Sequence, residues 1–193
     1  MRFPVLAAFL LLPGAVLAQE ADQQRELPQI QATRKLGWFP AGSRPWDYTY
    51  SSMSDPKVPG GGTLVIQARP GAESEGNAFG TLMRNMSADD WRGRRVKLSG
   101  RIKTESVRWV QMWLRVDGKQ GAGMPLAFYN MADRKIRGSS DWARYEIVLD
   151  VPQEALGLAF GFFNAGGRGT AWGEDFVLTE VGKDVPVSVM PPY

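Results

Sequence analysis

Trp109, Gln111, Trp113 and Arg115 occupy every second position of the segment RWVQMWLRV, and Val110, Met112, Leu114 and Val116 fill the positions between and after them. Successive side chains of a β-strand face opposite ways. One face of this strand is therefore wholly apolar and belongs to a core, which leaves two indoles, a planar amide and a guanidinium on the other. Such a surface suits sugar rings, whose C–H faces stack on indole while hydroxyls bond to amide and arginine donors. Tryptophan is also a residue that cores usually bury, and a covering loop or leader would turn the same positions into interior. Asn130 and Asn164, beside Tyr129 and Phe163 at the ends of apolar runs, offer a ligand cleft further orienting groups. Their alternative role is to cap turns through side-chain to backbone hydrogen bonds.

The sequence contains no histidine and no cysteine. Ser-His triads, cysteine nucleophiles and His-ligated zinc cannot be assembled without them. What remains for catalysis is a carboxylate pair drawn from Asp117, Asp133, Asp141, Glu146 and Asp150, as in a glycoside hydrolase. Glu174 and Asp175 are adjacent hard-oxygen donors for a structural calcium ion, although no DxDxDG-like loop accompanies them. The expectation is a non-catalytic chain without a cofactor, structural calcium being the one metal option.

The elements that must position these residues are strands. From Leu36 to Val181 short apolar runs alternate with Gly, Pro, Asp and Ser clusters, as in sandwiches and barrels. The expected strands are Leu36 to Phe39, Tyr48 to Ser51, Thr63 to Ala68, Phe79 to Met86, Arg95 to Lys103, Arg108 to Val116, Leu126 to Asn130, Ala143 to Val151, Leu158 to Asn164 and Asp175 to Val181. Expected turns include Pro59 to Gly62, Arg69 to Gly76, Asp117-Gly118, Gly138 to Asp141 and Gly166 to Gly169, where glycine supplies positive φ cheaply. Val96, Leu98, Gly100 and Ile102 face one way while Arg95, Lys97, Ser99, Arg101 and Lys103 face the other, and Leu158 to Asn164 is apolar on both sides. No amphipathic helix is visible. The fold class is all-β, an antiparallel β-sandwich of jelly-roll type.

The chain opens with Arg2, an apolar run from Phe3 to Leu12, a Pro13-Gly14 break and small residues at Val16 and Ala18. This pattern predicts a signal peptide over 1–18, then a flexible polar leader at 19–35, the sandwich domain at 36–182 and a C-terminal tail at 183–193. The apolar run is too short for a comfortable membrane span, so a soluble periplasmic or secreted protein is expected. Loss of Arg2 with the signal peptide lowers the formal charge of +3 by one. A nearly neutral exported chain argues against nucleic acid as partner.

The stretches WRGRRVKLSGRIKT (Trp91 to Thr104), VQMWLRVDG (Val110 to Gly118), FYNMADRKIRGSSDWARYEIVLDVP (Phe128 to Pro152) and WGEDFVLTEV (Trp172 to Val181) resemble a family of exported bacterial jelly-roll domains. Members are often labelled transcriptional regulators, and similar domains accompany some bacterial hydrolases. The resemblance spans most of Trp38 to Val181, is sharpest in the NM.DR.I.G..DW spacing, and implies a galactose-binding or carbohydrate-binding-module sandwich. The regulator label fits poorly with a signal peptide and no helix-turn-helix pattern. The favoured expectation is an exported, non-catalytic module that recognises a glycan or another envelope component through Trp109, Gln111, Trp113 and Arg115, with Tyr129, Asn130 and Asn164 nearby. The second is a periplasmic protein-interaction or structural component that uses the same aromatics as an interface.

Overall fold

The computed structural model describes residues 37–54, 62–72, 77–119 and 124–190. The expected signal peptide and leader, and much of the turns at 59–62 and 69–76, lie outside the described residues. The elements are β1 (Phe39–Gly42), a 3₁₀ turn (Pro45–Asp47), β2 (Tyr48–Ser54), β3 (Gly62–Ala68), β4 (Phe79–Ser87), β5 (Arg95–Asp117), β6 (Ala127–Tyr129), β7 (Ile136–Asp150), β8 (Gly157–Ala165) and β9 (Thr170–Val181). All strand pairs are antiparallel. Among the described residues no helix is long and apolar enough to cross a membrane.

Two sheets share β5. Its first half pairs with β7 and β9, and β9 continues through β3 to β2. Its second half pairs with β8 and β6, and β8 continues through β4 to β1. The result is an antiparallel sandwich with β5 passing from one sheet into the other. The sequence suggests two strands here, split near residues 104–107, whereas the structure forms one strand of 23 residues. Ser106 adopts φ 55°, and the pairing with β7 slips three times between Ile102 and Val110. Such bulges bend a strand and increase its twist without ending it.

The partner strand takes up the same distortion. Gly138 to Asp141 was expected as a turn, but these residues lie inside β7, which begins at Ile136. Gly138 holds φ 68° opposite Val107, Ser139 Oγ accepts from the Ser106 amide at 3.0 Å, and the Thr104 and Ser140 hydroxyls meet at 3.0 Å. The Gly-Ser-Ser run therefore satisfies a bulge rather than reversing the chain. β1 likewise lies later than expected, at Phe39–Gly42, and β9 begins earlier, at Thr170.

The core lies between the sheets. Val110, Met112, Leu114 and Val116 are fully buried, as their alternation requires, together with Leu98 and Ile102 from the first half of β5, Leu64 and Ile66 from β3, and Phe162 from β8. Phe162 stacks on Phe176 at 5.4 Å, and Trp38 meets Phe160 edge-on at 5.6 Å, the arrangements that aromatic quadrupoles favour. Beyond β9, part of the expected tail is fastened down. Ser188 N donates to Val148 O at 2.8 Å, Arg95 donates to the Lys183 and Val185 carbonyls, and Met190 packs against the core.

Candidate functional site

The outer face of the β1-β4-β8-β5-β6 sheet carries a cleft of about 560 Å³. Strand periodicity builds it. On β5 the residues opposite the core face are Trp109, Gln111, Trp113 and Arg115, and all four line the cleft. β4 contributes Phe79, Thr81 and Met83, β8 contributes Phe163, and β1 contributes Ala41 and Gly42. Phe128, Asn130, Ala132 and Lys135, from β6 and the segment after it, form a wall.

The two tryptophans are not an open platform. Each is 7% exposed. Trp113 joins Met83 and Ala159 in a small second core, with Phe39, Ala41 and Phe163 against it, and its Nε1 donates to Thr81 Oγ1 at 3.2 Å. Trp109 has Arg108, Lys135 and Arg137 over its ring. The physical cause is the edge strand β1 and the segment after β6, which raise walls over positions that an isolated strand would leave in solvent. The aromatic ring left open is Phe128, 38% exposed at the rim.

Two of the polar groups are fixed in place. Gln111 is 3% exposed and its amide nitrogen donates to the Asn130 carbonyl. Arg115 is held by Asp117, 2.8 Å away. Asn130 Oδ1 is buried without a hydrogen-bond partner among the described residues, an arrangement that costs about 1–3 kcal/mol when nothing compensates it.

Two residues expected beside this face lie elsewhere. Tyr129 points to the core side of β6, since its neighbours Phe128 and Asn130 take the cleft side under period two. It is 3% exposed, and its hydroxyl donates to Asp133 Oδ1 at 2.5 Å and accepts from Arg134 Nε at 3.2 Å. Burial, followed by the Asp133 hydrogen bond, raises its pKa above the ordinary tyrosine value. Asn164 is fully buried in register with Val110. Its amide nitrogen donates to the Arg168 and Gly169 carbonyls at 3.1 and 3.2 Å, so it ties the β8–β9 turn, the alternative role that the sequence offered.

Glu174 and Asp175 lie within β9 rather than at its start. Glu174 accepts from Arg101 at 2.7 Å and from Thr63 Oγ1 at 3.1 Å. Asp175 sits at φ 53° and faces Arg144 across 3.8 Å. No group of three or more metal-ligating side chains occurs among the described residues. Two carboxylates each facing an arginine do not suit a calcium ion, which takes six to eight oxygen ligands.

Sequence reasoning missed Phe79, Thr81, Met83, Phe128 and Lys135. The alternation of Phe79, Thr81 and Met83 with Gly80 and Leu82 was a usable signal, but it becomes a cleft wall only once β4 and β5 are known to flank β8.

No family model matches the chain. An uncharacterized HTH-type transcriptional regulator of Bacillus subtilis (strain 168), YbfP, is 32% identical over 151 residues, covering 78% of this chain and 50% of the relative. The chain thus spans about half the length of that relative. Among the described residues the one helical element is the 3₁₀ turn, so they hold no helix-turn-helix.

Among solved structures, the enzymatically active domain of bacteriophage CBA120 tailspike protein 4 matches with TM-score 0.55 and 16% identity, over 75% of this chain and 19% of that one. The CBM22-1-GH10 modules of Clostridium thermocellum xylanase 10B, complexed with xylohexaose, match with TM-score 0.51 and 11% identity, over 76% and 26%. A CBM 22 xylan-binding domain matches with TM-score 0.51 and 12% identity, over 77% of this chain and 90% of that domain. The chain therefore has the jelly-roll sandwich fold that carbohydrate-binding modules also have.

Proposed function

We propose that this chain is a non-catalytic glycan-binding module that seats sugar residues in the cleft over β4, β8 and β5. The observation that carries the reading is the make-up of that cleft. Apolar and aromatic side chains form most of it, the polar groups of Gln111, Asn130 and Arg115 are set among them, and among the described residues no carboxylate lines it. Sugar sites combine these features, since C–H faces need apolar contact and hydroxyls need oriented partners. A glycosidase needs two carboxyl groups flanking the bond it cleaves, so the lining favours binding over turnover. The fold shared with xylan-binding domains supports the reading. The apolar run and small residues of 1–18 support export to the periplasm or medium, with an envelope or environmental polysaccharide as the ligand and no nucleic-acid partner.

Affinity electrophoresis and calorimetry on a polysaccharide panel test the reading. A member of the panel should bind, and Phe128→Ala should weaken that binding by about 1–3 kcal/mol with the melting temperature nearly unchanged. Turnover of any polymer, or no binding across the panel, overturns it; the second outcome would favour the protein-interaction alternative.

A further inference from the structure

Among the described residues, the charged side chains that line the cleft are of one sign. Two of the residues that line it are basic, Arg115 and Lys135. Arg115 already has Asp117 as its partner. Lys135 and Arg137 are exposed, and neither has a carboxylate within ion-pairing distance among the described residues. Both nevertheless lie over the Trp109 ring, at 5.4 and 5.7 Å from its centre, and Arg108 joins them at 5.1 Å.

Arg108 is given its room by the backbone. A Cβ on Gly166 would meet the Arg108 Cδ at 2.4 Å, and Gly166 has φ 82°, a conformation that glycine adopts without strain. The bulges between Ile102 and Val110 accompany this departure from simple alternation, leaving Arg108 exposed while Trp109 and Val110 are both buried.

Cations over an indole gain cation–π attraction, but Lys135 and Arg137 also repel one another, and no carboxylate among the described residues pairs with either to offset that. Clefts lined by charge of one sign concentrate the opposite sign within them. Given the reading of this cleft as a glycan site, on which the next step rests, we infer that its ligand is an acidic polysaccharide. An anionic substituent would sit between Lys135 and Arg137, while the sugar rings extend toward Phe128. Uronic carboxylates and sulfate esters share the required chemistry.

The test is titration of the full chain with polygalacturonate and alginate for carboxylates, chondroitin sulfate and dextran sulfate for sulfate esters, carboxyl-reduced polygalacturonate and xylan as neutral polymers, and poly-glutamate as an acidic polymer without sugar. An acidic glycan should bind, with affinity that falls as salt rises. The Lys135→Ala/Arg137→Ala double variant should lose on the order of tenfold in that affinity and keep its melting temperature. Whether the carboxylate or the sulfate polymers bind identifies the substituent. Neutral polymers binding as tightly as acidic ones, or a double variant with unchanged affinity, would overturn acidic recognition and leave the glycan reading standing. Equal binding of poly-glutamate would reduce the effect to ion exchange and overturn the proposal, and binding of none of the polymers would remove both readings.

Discussion

Trp113 on β5 and Thr81 on β4 are joined by an indole Nε1 to Oγ1 hydrogen bond of 3.2 Å, although β8 runs between their strands. Thr81 passes the bond on, donating to Phe162 O at 2.8 Å. The pair ties three strands together on the cleft side, where Trp113 also packs on Met83 and Ala159. Trp113→Ala should therefore destabilise the fold by about 3–5 kcal/mol, as large buried truncations do. Urea denaturation measures it. A shift under about 1 kcal/mol accompanied by lost glycan binding would instead make Trp113 a recognition residue.

Between Trp113 and Met83 lies Gly161, in register with both. A Cβ there would come within 2.1 Å of Leu82 O and 3.0 Å of Met83 Cα. Both are backbone atoms, so neither yields as a flexible side chain would. Gly161→Ala should push β4 from β8 and cost about 1–3 kcal/mol, the usual range for overpacking. An unchanged denaturation midpoint would show that this sheet is more pliant than its geometry implies.

Asn164 offers the opposite contrast, because it was expected at a ligand and is found at a turn. Replacing it by alanine strips a donor from two carbonyls at Arg168 and Gly169 and should cost about 1–3 kcal/mol. Glycan affinity of the folded Asn164→Ala protein should stay within about twofold of the parent, since the residue does not line the cleft and sites without shared partners act independently. A large affinity loss with normal stability would return Asn164 to the site.

Asp150 anchors the chain beyond β9. Arg95 grips both of its carboxylate oxygens at 3.0 and 2.9 Å, and Lys183 adds a contact at 2.8 Å. The Arg95 hydrogen bonds, followed by that of Lys183, lower its pKa from 3.8 to about 2. A lowered folded-state pKa means stability that is present above the ordinary carboxylate value and is lost as pH falls through the folded value. Asp150→Asn should thus be less stable than the parent at neutral pH, and the difference should vanish as pH drops from 3.8 toward 2. With the carboxylate 45% exposed, solvent screening keeps the effect under about 1 kcal/mol. Melting curves across pH check it; a difference that persists at the acid end would point to packing rather than charge.

Much of this protein was legible in the chain itself. Alternation in Val110 to Val116 and Val96 to Ile102 placed their core faces correctly, because period two is a local property of any extended backbone. The absence of histidine and cysteine limited the available chemistry before any fold was known. The four residues Trp109, Gln111, Trp113 and Arg115 do share one face and one cleft.

Tertiary structure decided what that face became. Whether an indole opposite the core is wet depends on what packs over it, and β1 is distant in sequence from β5 yet covers it by way of β4 and β8. Sequence alone divides the bend at Ser106 and Gly138 into two separate boundaries because a bulge and a turn draw on the same Gly and Ser residues, and only pairing across β5 and β7 distinguishes them. The gathering of Arg108, Lys135 and Arg137 on Trp109 likewise needed register. Sequence fixes which way a side chain leaves its own strand, but its neighbours are set by long-range pairing, where the balance of burial and charge is struck between residues that carry no mark of one another in the chain.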